Sequence, residues 1–146
     1  MKLSETFNFP YGHRLLNNHG KCFSLHGHSI RLEVSISGNV DEESGIVLDS
    51  REFRRIVEKE IVEVLSFSYI LQAKDPLLKY LEKFEEEALD DVGKVLWRVV
   101  GVPFTPTREN VCRWVYKQLV TKFKPDFIVE KVRLWEDEDS SVEVIE

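Results

Sequence analysis

His13, His19, Cys22, His26 and His28 stand within the first 28 residues, and the rest of the chain holds no further histidine. Imidazole nitrogens and thiolates are the ligands that borderline-soft transition metals prefer, and a thiolate beside a metal is also a potential nucleophile or base. In a strand, residues two apart project to the same side, so His26 and His28 can offer both imidazoles to one ion. His13 approaches from the far side of the intervening segment if the flanking strands pair as a hairpin. Three imidazoles with an open fourth position describe a catalytic zinc site, in which a bound oxygen is polarised or acidified. Surface histidines in a polar loop are the plainer alternative for any one of them, but spacing and strand parity together favour metal for the three. His19, between Asn18 and Gly20, reads as an exposed loop residue or a neighbour of the ligands. Cys22, with Lys21 beside it, is open to three roles: fourth ligand, reactive thiolate or inert thiol. Cys112 falls in a helical pattern and reads as packed.

Strands must position these groups. Leu3, Glu5, Phe7 and Phe9 alternate with polar residues, as do Ile30, Leu32, Val34 and Ile36, so each run predicts a strand with one buried face. His13 follows the first strand. Pro10 to Gly27 reads as a long polar connection, too rich in Asn, Gly and His for a core, and loops of that length in small domains are often functional. Asp49 with Glu52 resembles a capping box, followed by the apolar stripe Phe53, Ile56, Val57, Ile61, Val64 and Leu65. A second stripe, Leu77, Leu81, Phe84, Ala88 and Val92, runs through the acidic segment 79–91 and predicts an accessory surface helix. Lys94 to Val100 is β-prone. Thr105, Pro106 and Thr107 then start a helix carrying Val111, Trp114, Val115, Leu119 and Phe123, which Lys124 and Pro125 end. Strands over Phe127 to Glu136 and Ser141 to Ile145 close the chain. The expectation is an α+β domain over residues 1–146: a four-stranded antiparallel sheet, two main helices on one face and an inserted acidic helix. Its two open edges would need blunting or pairing, which closure with other subunits into a barrel achieves.

A chain of 146 residues with 42% hydrophobic content is enough for one core. The net charge of −6 and the lack of a basic tract argue against nucleic acid. No apolar stretch reaches membrane length, no signal-peptide core is present, and two cysteines ninety positions apart make no disulfide framework. A cytoplasmic setting is expected.

The segment Gly12 to Ser29, with H-x8-C-x3-H-G-H, resembles the zinc and cysteine motif of 6-pyruvoyltetrahydropterin synthases, whose relatives include the 6-carboxytetrahydropterin synthase of the queuosine pathway. Gly45 to Phe53 (GIVLDSREF), Leu65 to Pro76 (LSFSYILQAKDP), Pro106 to Asn110 (PTREN) and Lys131 to Asp137 (KVRLWED) extend the resemblance in order, with the acidic helix as an insertion. The resemblance implies that His13, His26 and His28 bind zinc and that Cys22 is the catalytic base. It further implies that Glu136 anchors a pterin ring, helped by Thr107 and Glu109. From the residues alone, Thr107 also reads as an N-cap, Glu109 as a helix-dipole partner and Glu136 as a solvated strand-end carboxylate. The fold implied is a tunnelling fold (T-fold) subunit, assembled as a barrel-forming homo-oligomer, a trimer or hexamer.

The departure lies at Ser66 and Phe67, where the family pattern has an Asp-His pair that shuttles protons with the cysteine. Serine is a poor general acid at neutral pH and phenylalanine carries no proton, so that arm of acid/base chemistry is missing. Gln72 likewise stands where the pattern has Asn. The resemblance thus implies a zinc-dependent lyase acting on 7,8-dihydroneopterin triphosphate or a related pterin. The alternative is a pterin- and zinc-binding homologue that has lost this turnover. Retention of Cys22 favours the enzyme.

Overall fold

A computed structural model of the chain describes residues 1–87, 98–123 and 125–146. Two long strands, β1 (Lys2–His13) and β2 (His26–Ser37), pair antiparallel from Lys2 opposite Ser37 to His13 opposite His26. Strand β5 (Ile128–Trp135) pairs antiparallel with β2, and β6 (Ser141–Ile145) with β5. These are the four expected strands. The expected connection from Pro10 to Gly27 is shorter than the composition implied, because the hairpin ladder continues through Pro10–His13 and His26–Ser29. A paired backbone satisfies its own polar groups, so Asn, Gly and His nearby do not force a loop.

The sheet has six strands rather than four, in the order β4-β3-β1-β2-β5-β6. Strand β3 (Tyr69–Gln72) runs parallel to β1 beside Gly12 and His13, and β4 (Val99–Val102) runs parallel to β3. Both are four-residue runs, and β3 lacks the alternation that marks a half-buried strand: Ile70 and Leu71 are buried in succession. A glycine gives this pairing its room. A Cβ on Gly12 would lie 2.6 Å from the Tyr69 ring. Of the β-prone run at 94–100, the positions before 98 lie outside the described residues.

Asp49 caps α1 (Ser50–Val57), its side chain accepting from the backbone N–H groups of Arg51 and Glu52. The helix runs on through a π-helical turn (Glu58–Val62) into a last turn, α2 (Glu63–Leu65). The buried residues Phe53, Val57, Ile61 and Leu65 recur every four positions. On an ideal α-helix such a row drifts by about 40° per step, and the wider π turn returns it toward the core. Helix α3 (Pro76–Glu87) begins with proline at its first position and Asp75 accepting from the Leu77 N–H. Leu78 rather than Leu77 is buried, packed over Gly101, and Phe84 is exposed; Ala88 and Val92 lie outside the described residues. Helix α4 (Arg108–Lys122) starts at the Thr107 cap and packs on β5 and β6 through Val111, Cys112, Val115 and Leu119. Lys122 is its last residue and Phe123 its C-cap; Lys124 lies outside the described residues.

One cluster of buried side chains joins the sheet face to the helices. Phe7, Phe9 and Tyr11 of β1 lie on that face, opposite Leu32, Ile30 and His28 of β2. The same parity carries His13, His26 and His28 onto the core face at the end of the hairpin. The back of the sheet is polar there, with Lys131 paired to Glu33 and Trp135 flanked by the guanidinium groups of Arg31 and Arg133.

Candidate metal centre

Each of the three histidines offers one ligand atom, and these atoms lie within 4.8 Å of one another. His13 Nε2 and His28 Nε2 are 3.1 Å apart. A tetrahedral zinc ion, with Zn–N of about 2.0–2.1 Å, spaces its ligands roughly 3.4 Å apart, so the donor set fits such an ion. Two outer nitrogens are already engaged. His13 Nδ1 is 2.7 Å from the Pro106 carbonyl, and His26 Nδ1 is 2.7 Å from the Ser24 carbonyl. A carbonyl can only accept, so in each ring Nδ1 carries the proton and Nε2 is left with its lone pair for a metal. His13 is 2% exposed. Burial pushes its pKa below the ordinary value, and the neighbouring His26 and His28 act in the same direction, against the pull of Glu136 and Pro106. The ring is therefore held in the neutral form that a ligand requires.

The sequence builds this arrangement from three places. The hairpin ladder aligns the histidines. The Thr105–Thr107 approach to α4 supplies the Pro106 carbonyl, while Thr107 Oγ1 accepts the Asn110 N–H at 3.3 Å as an N-cap. The end of β5 delivers Glu136, whose side chain is 11% exposed; its Oε1 is 3.9 Å from His13 Nε2 and its Oε2 is 4.0 Å from His28 Nε2. The β5–β6 turn behind it is tied by Asp137 to Ser140, and Arg108 at the start of α4 donates to Ser140 Oγ at 2.5 Å.

Cys22 sits in a short 3-10 turn (Lys21–Phe23), where its carbonyl accepts the Leu15 N–H at 2.8 Å. It is a free cysteine outside the trio of potential ligands. A cavity of about 180 Å³ is lined by His13, His26, His28, Cys22, Thr107, Glu109 and Glu136, together with Leu15 and Arg108. All seven residues singled out in the sequence thus meet around one space. Burial acts to raise the Glu109 carboxyl, and hydrogen bonds from its own backbone, Thr107 and Arg108 outweigh this, so it lies below the ordinary value.

Other residues fall elsewhere. His19 is exposed and does not line the cavity. Ser66 and Phe67 are also absent from its lining; Phe67 is 79% exposed and adopts a left-handed backbone, φ 54°. Cys112 is buried with its thiol pushed up to about 11, chiefly by burial, which leaves it an inert packing residue.

Sequence reasoning missed two cavity neighbours. Arg108 lay in plain view within PTREN. Tyr11 lay in the supposed loop; its hydroxyl donates to Glu136 Oε1 at 2.5 Å, and strand parity with His13 was the signal that could have found it. Burial first and Glu136 second raise the Tyr11 pKa far above its ordinary value, so the phenol keeps its proton.

The 6-pyruvoyl tetrahydropterin synthase family model matches residues 2–146. A 6-carboxy-5,6,7,8-tetrahydropterin synthase of Haemophilus influenzae is 29% identical over 145 residues, covering 97% of this chain and 96% of that protein. One of Aquifex aeolicus is 27% identical, with the same shares covered. Among solved structures, the Caenorhabditis elegans 6-pyruvoyl tetrahydropterin synthase shares the fold with a TM-score of 0.70 at 19% identity, covering 100% of this chain and 95% of that one. With the family match running along nearly the whole chain, and with the fold shared as well, this protein belongs to the 6-pyruvoyl tetrahydropterin synthase family.

Proposed function

We propose that the chain is a zinc-dependent pterin enzyme of the lyase type, acting on 7,8-dihydroneopterin triphosphate or a closely related pterin. The observation that carries this is the meeting of His13, His26, His28, Cys22, Thr107, Glu109 and Glu136 around one cavity. The names of its relatives, 6-carboxy-5,6,7,8-tetrahydropterin synthases, point to the same substrate class. In this reading the three histidines hold the ion through Nε2. Bound zinc supplies Lewis acidity toward a side-chain oxygen of the substrate, which acidifies the adjacent C–H. Cys22, as the thiolate, removes that proton. Glu136 accepts the neighbouring amino and ring N–H donors of the pterin, a pairing that suits one fixed carboxylate. Thr107 and Glu109 complete the wall from the start of α4, and Arg108 adds the one permanently charged cation in the lining.

The protein works in the cytoplasm as a barrel-forming homo-oligomer in this proposal, with β4 and β6 as the sheet edges available for subunit pairing. A second reading, a zinc- and pterin-binding homologue without turnover, is favoured by Ser66 and Phe67, which place no proton carrier where the family pattern has two. Incubating the zinc-loaded protein with 7,8-dihydroneopterin triphosphate and following pterin products and released triphosphate separates them. Zinc-dependent product formation supports the enzyme; saturable pterin binding with no product supports the binder.

A further inference from the structure

The Glu136 carboxylate stands just beyond the last residue of β5, at the mouth of a turn, and a free glutamate there would sample several rotamers. Among the described residues, one hydrogen-bond donor reaches it: the Tyr11 hydroxyl, 2.5 Å from Oε1. The tyrosine itself has little freedom. It is 2% exposed, lies on β1 opposite His28, and its ring centre is 5.5 Å from that of His13 and 6.5 Å from that of His28. A buried phenol needs a partner for its hydroxyl, and here that partner is a group from a strand 125 residues away.

We infer that Tyr11 is a positioning residue, which fixes the Glu136 carboxylate so that both its oxygens face the cavity and can pair with the amino and ring N–H groups of a pterin. This rests on the role proposed above for Glu136. The geometry leaves room for both partners. A carboxylate oxygen has two lone pairs, so Oε1 can accept from Tyr11 and still accept one donor from a ligand, while Oε2 carries no other hydrogen bond among the described residues. In this bond the phenol donates and the carboxylate accepts, so the remaining lone pairs of Glu136 stay acceptors toward the cavity. Without the hydroxyl, the ligand must order the carboxylate as it binds, which weakens recognition of the very groups that Glu136 reads.

The test compares the zinc-loaded wild type with Tyr11→Phe, Glu136→Gln and the double variant. Each is titrated with pterin and with lumazine, which carries a 2-oxo group where pterin has the 2-amino group. Zinc content and thermal midpoint are measured alongside. Tyr11→Phe keeps the ring and its packing, so zinc content stays at the wild-type level. The expected result is that Tyr11→Phe raises the Kd for pterin about tenfold and reduces the preference for pterin over lumazine, and that the double variant binds no worse than Glu136→Gln. A change in packing alone would weaken both ligands equally and leave the preference intact. Unchanged pterin affinity and preference in Tyr11→Phe, with a loss in Glu136→Gln, would overturn the positioning role and leave the anchor standing. Unchanged affinity in Glu136→Gln overturns the anchor and the positioning role together. If Tyr11→Phe does not fold, Tyr11→Met, which also lacks the hydroxyl, is read in the same way: a reduced preference for pterin over lumazine supports the positioning role, and an intact preference overturns it.

Discussion

At the scale of single residues, the proposed site divides into atoms that would hold an ion and atoms that would react. His28→Ala removes one of three converging nitrogens, so zinc per chain after dialysis should fall from about one to near zero by elemental analysis. Cys22→Ser leaves that trio whole and should keep full zinc while losing at least about 100-fold in turnover, since a serine hydroxyl is a far weaker base than a thiolate. Arg14, next to His13, tests a different link. Its guanidinium pairs through two hydrogen bonds with Asp75, which is 1% exposed, and lies over the Phe23 ring beside Cys22. Arg14→Ala strands a buried carboxylate and should cost about 2–4 kcal/mol in urea unfolding. The Arg14 hydrogen bond, working against burial, holds the Asp75 pKa below its ordinary value of 3.8. Its stabilising effect is therefore complete above that value and disappears as pH falls through the lower folded one. Wild type should lose more stability than Asp75→Asn as pH falls from about 5 to 2.

The elements show why some of this was readable in advance. The alternation of β1 and β2 made the histidine geometry legible, because one parity rule orders both the core residues and the three histidines. The Asp49 cap and the stripe of α1 were equally plain, whereas β3 was hidden because it is four residues long and lacks alternation, and β4, an edge strand, showed only as the end of a β-prone run. The Thr107 cap was visible as a turn of sequence, but its link to the candidate metal centre through the Pro106 carbonyl was not, since only the fold brings that carbonyl to His13. Thr107→Ala should cost about 1 kcal/mol in stability from the lost cap. The same substitution should also weaken zinc binding, measured by competition with a chelator, as the carbonyl that orients His13 loosens.

For the molecule as a whole, Ser66 and Phe67 separate the two readings proposed above. That they leave a proton relay missing is an expectation drawn from the resemblance; their geometry was not legible, because neither residue lines the cavity. Phe67 holds a left-handed backbone that bulky residues rarely adopt and His tolerates better. The paired substitution Ser66→Asp and Phe67→His should therefore fold as well as wild type. If the missing relay limits the chemistry, turnover of 7,8-dihydroneopterin triphosphate should rise by at least about tenfold in a product assay.

The contacts around the cavity also differ in how far they reach along the chain. His13, His26 and His28 belong to one hairpin, whereas the Pro106 carbonyl and Glu136 come from 93 and 125 residues beyond their partners. Loop-closure entropy makes such distant contacts late ones. In the proposed site, a refolding chain thus brings its three imidazoles together before it gains the Pro106 carbonyl that orients His13 and the Glu136 carboxylate proposed to read the ligand. In stopped-flow refolding with zinc present, metal uptake should precede the appearance of pterin binding, so the order of assembly is written into the spacing of the site along the chain.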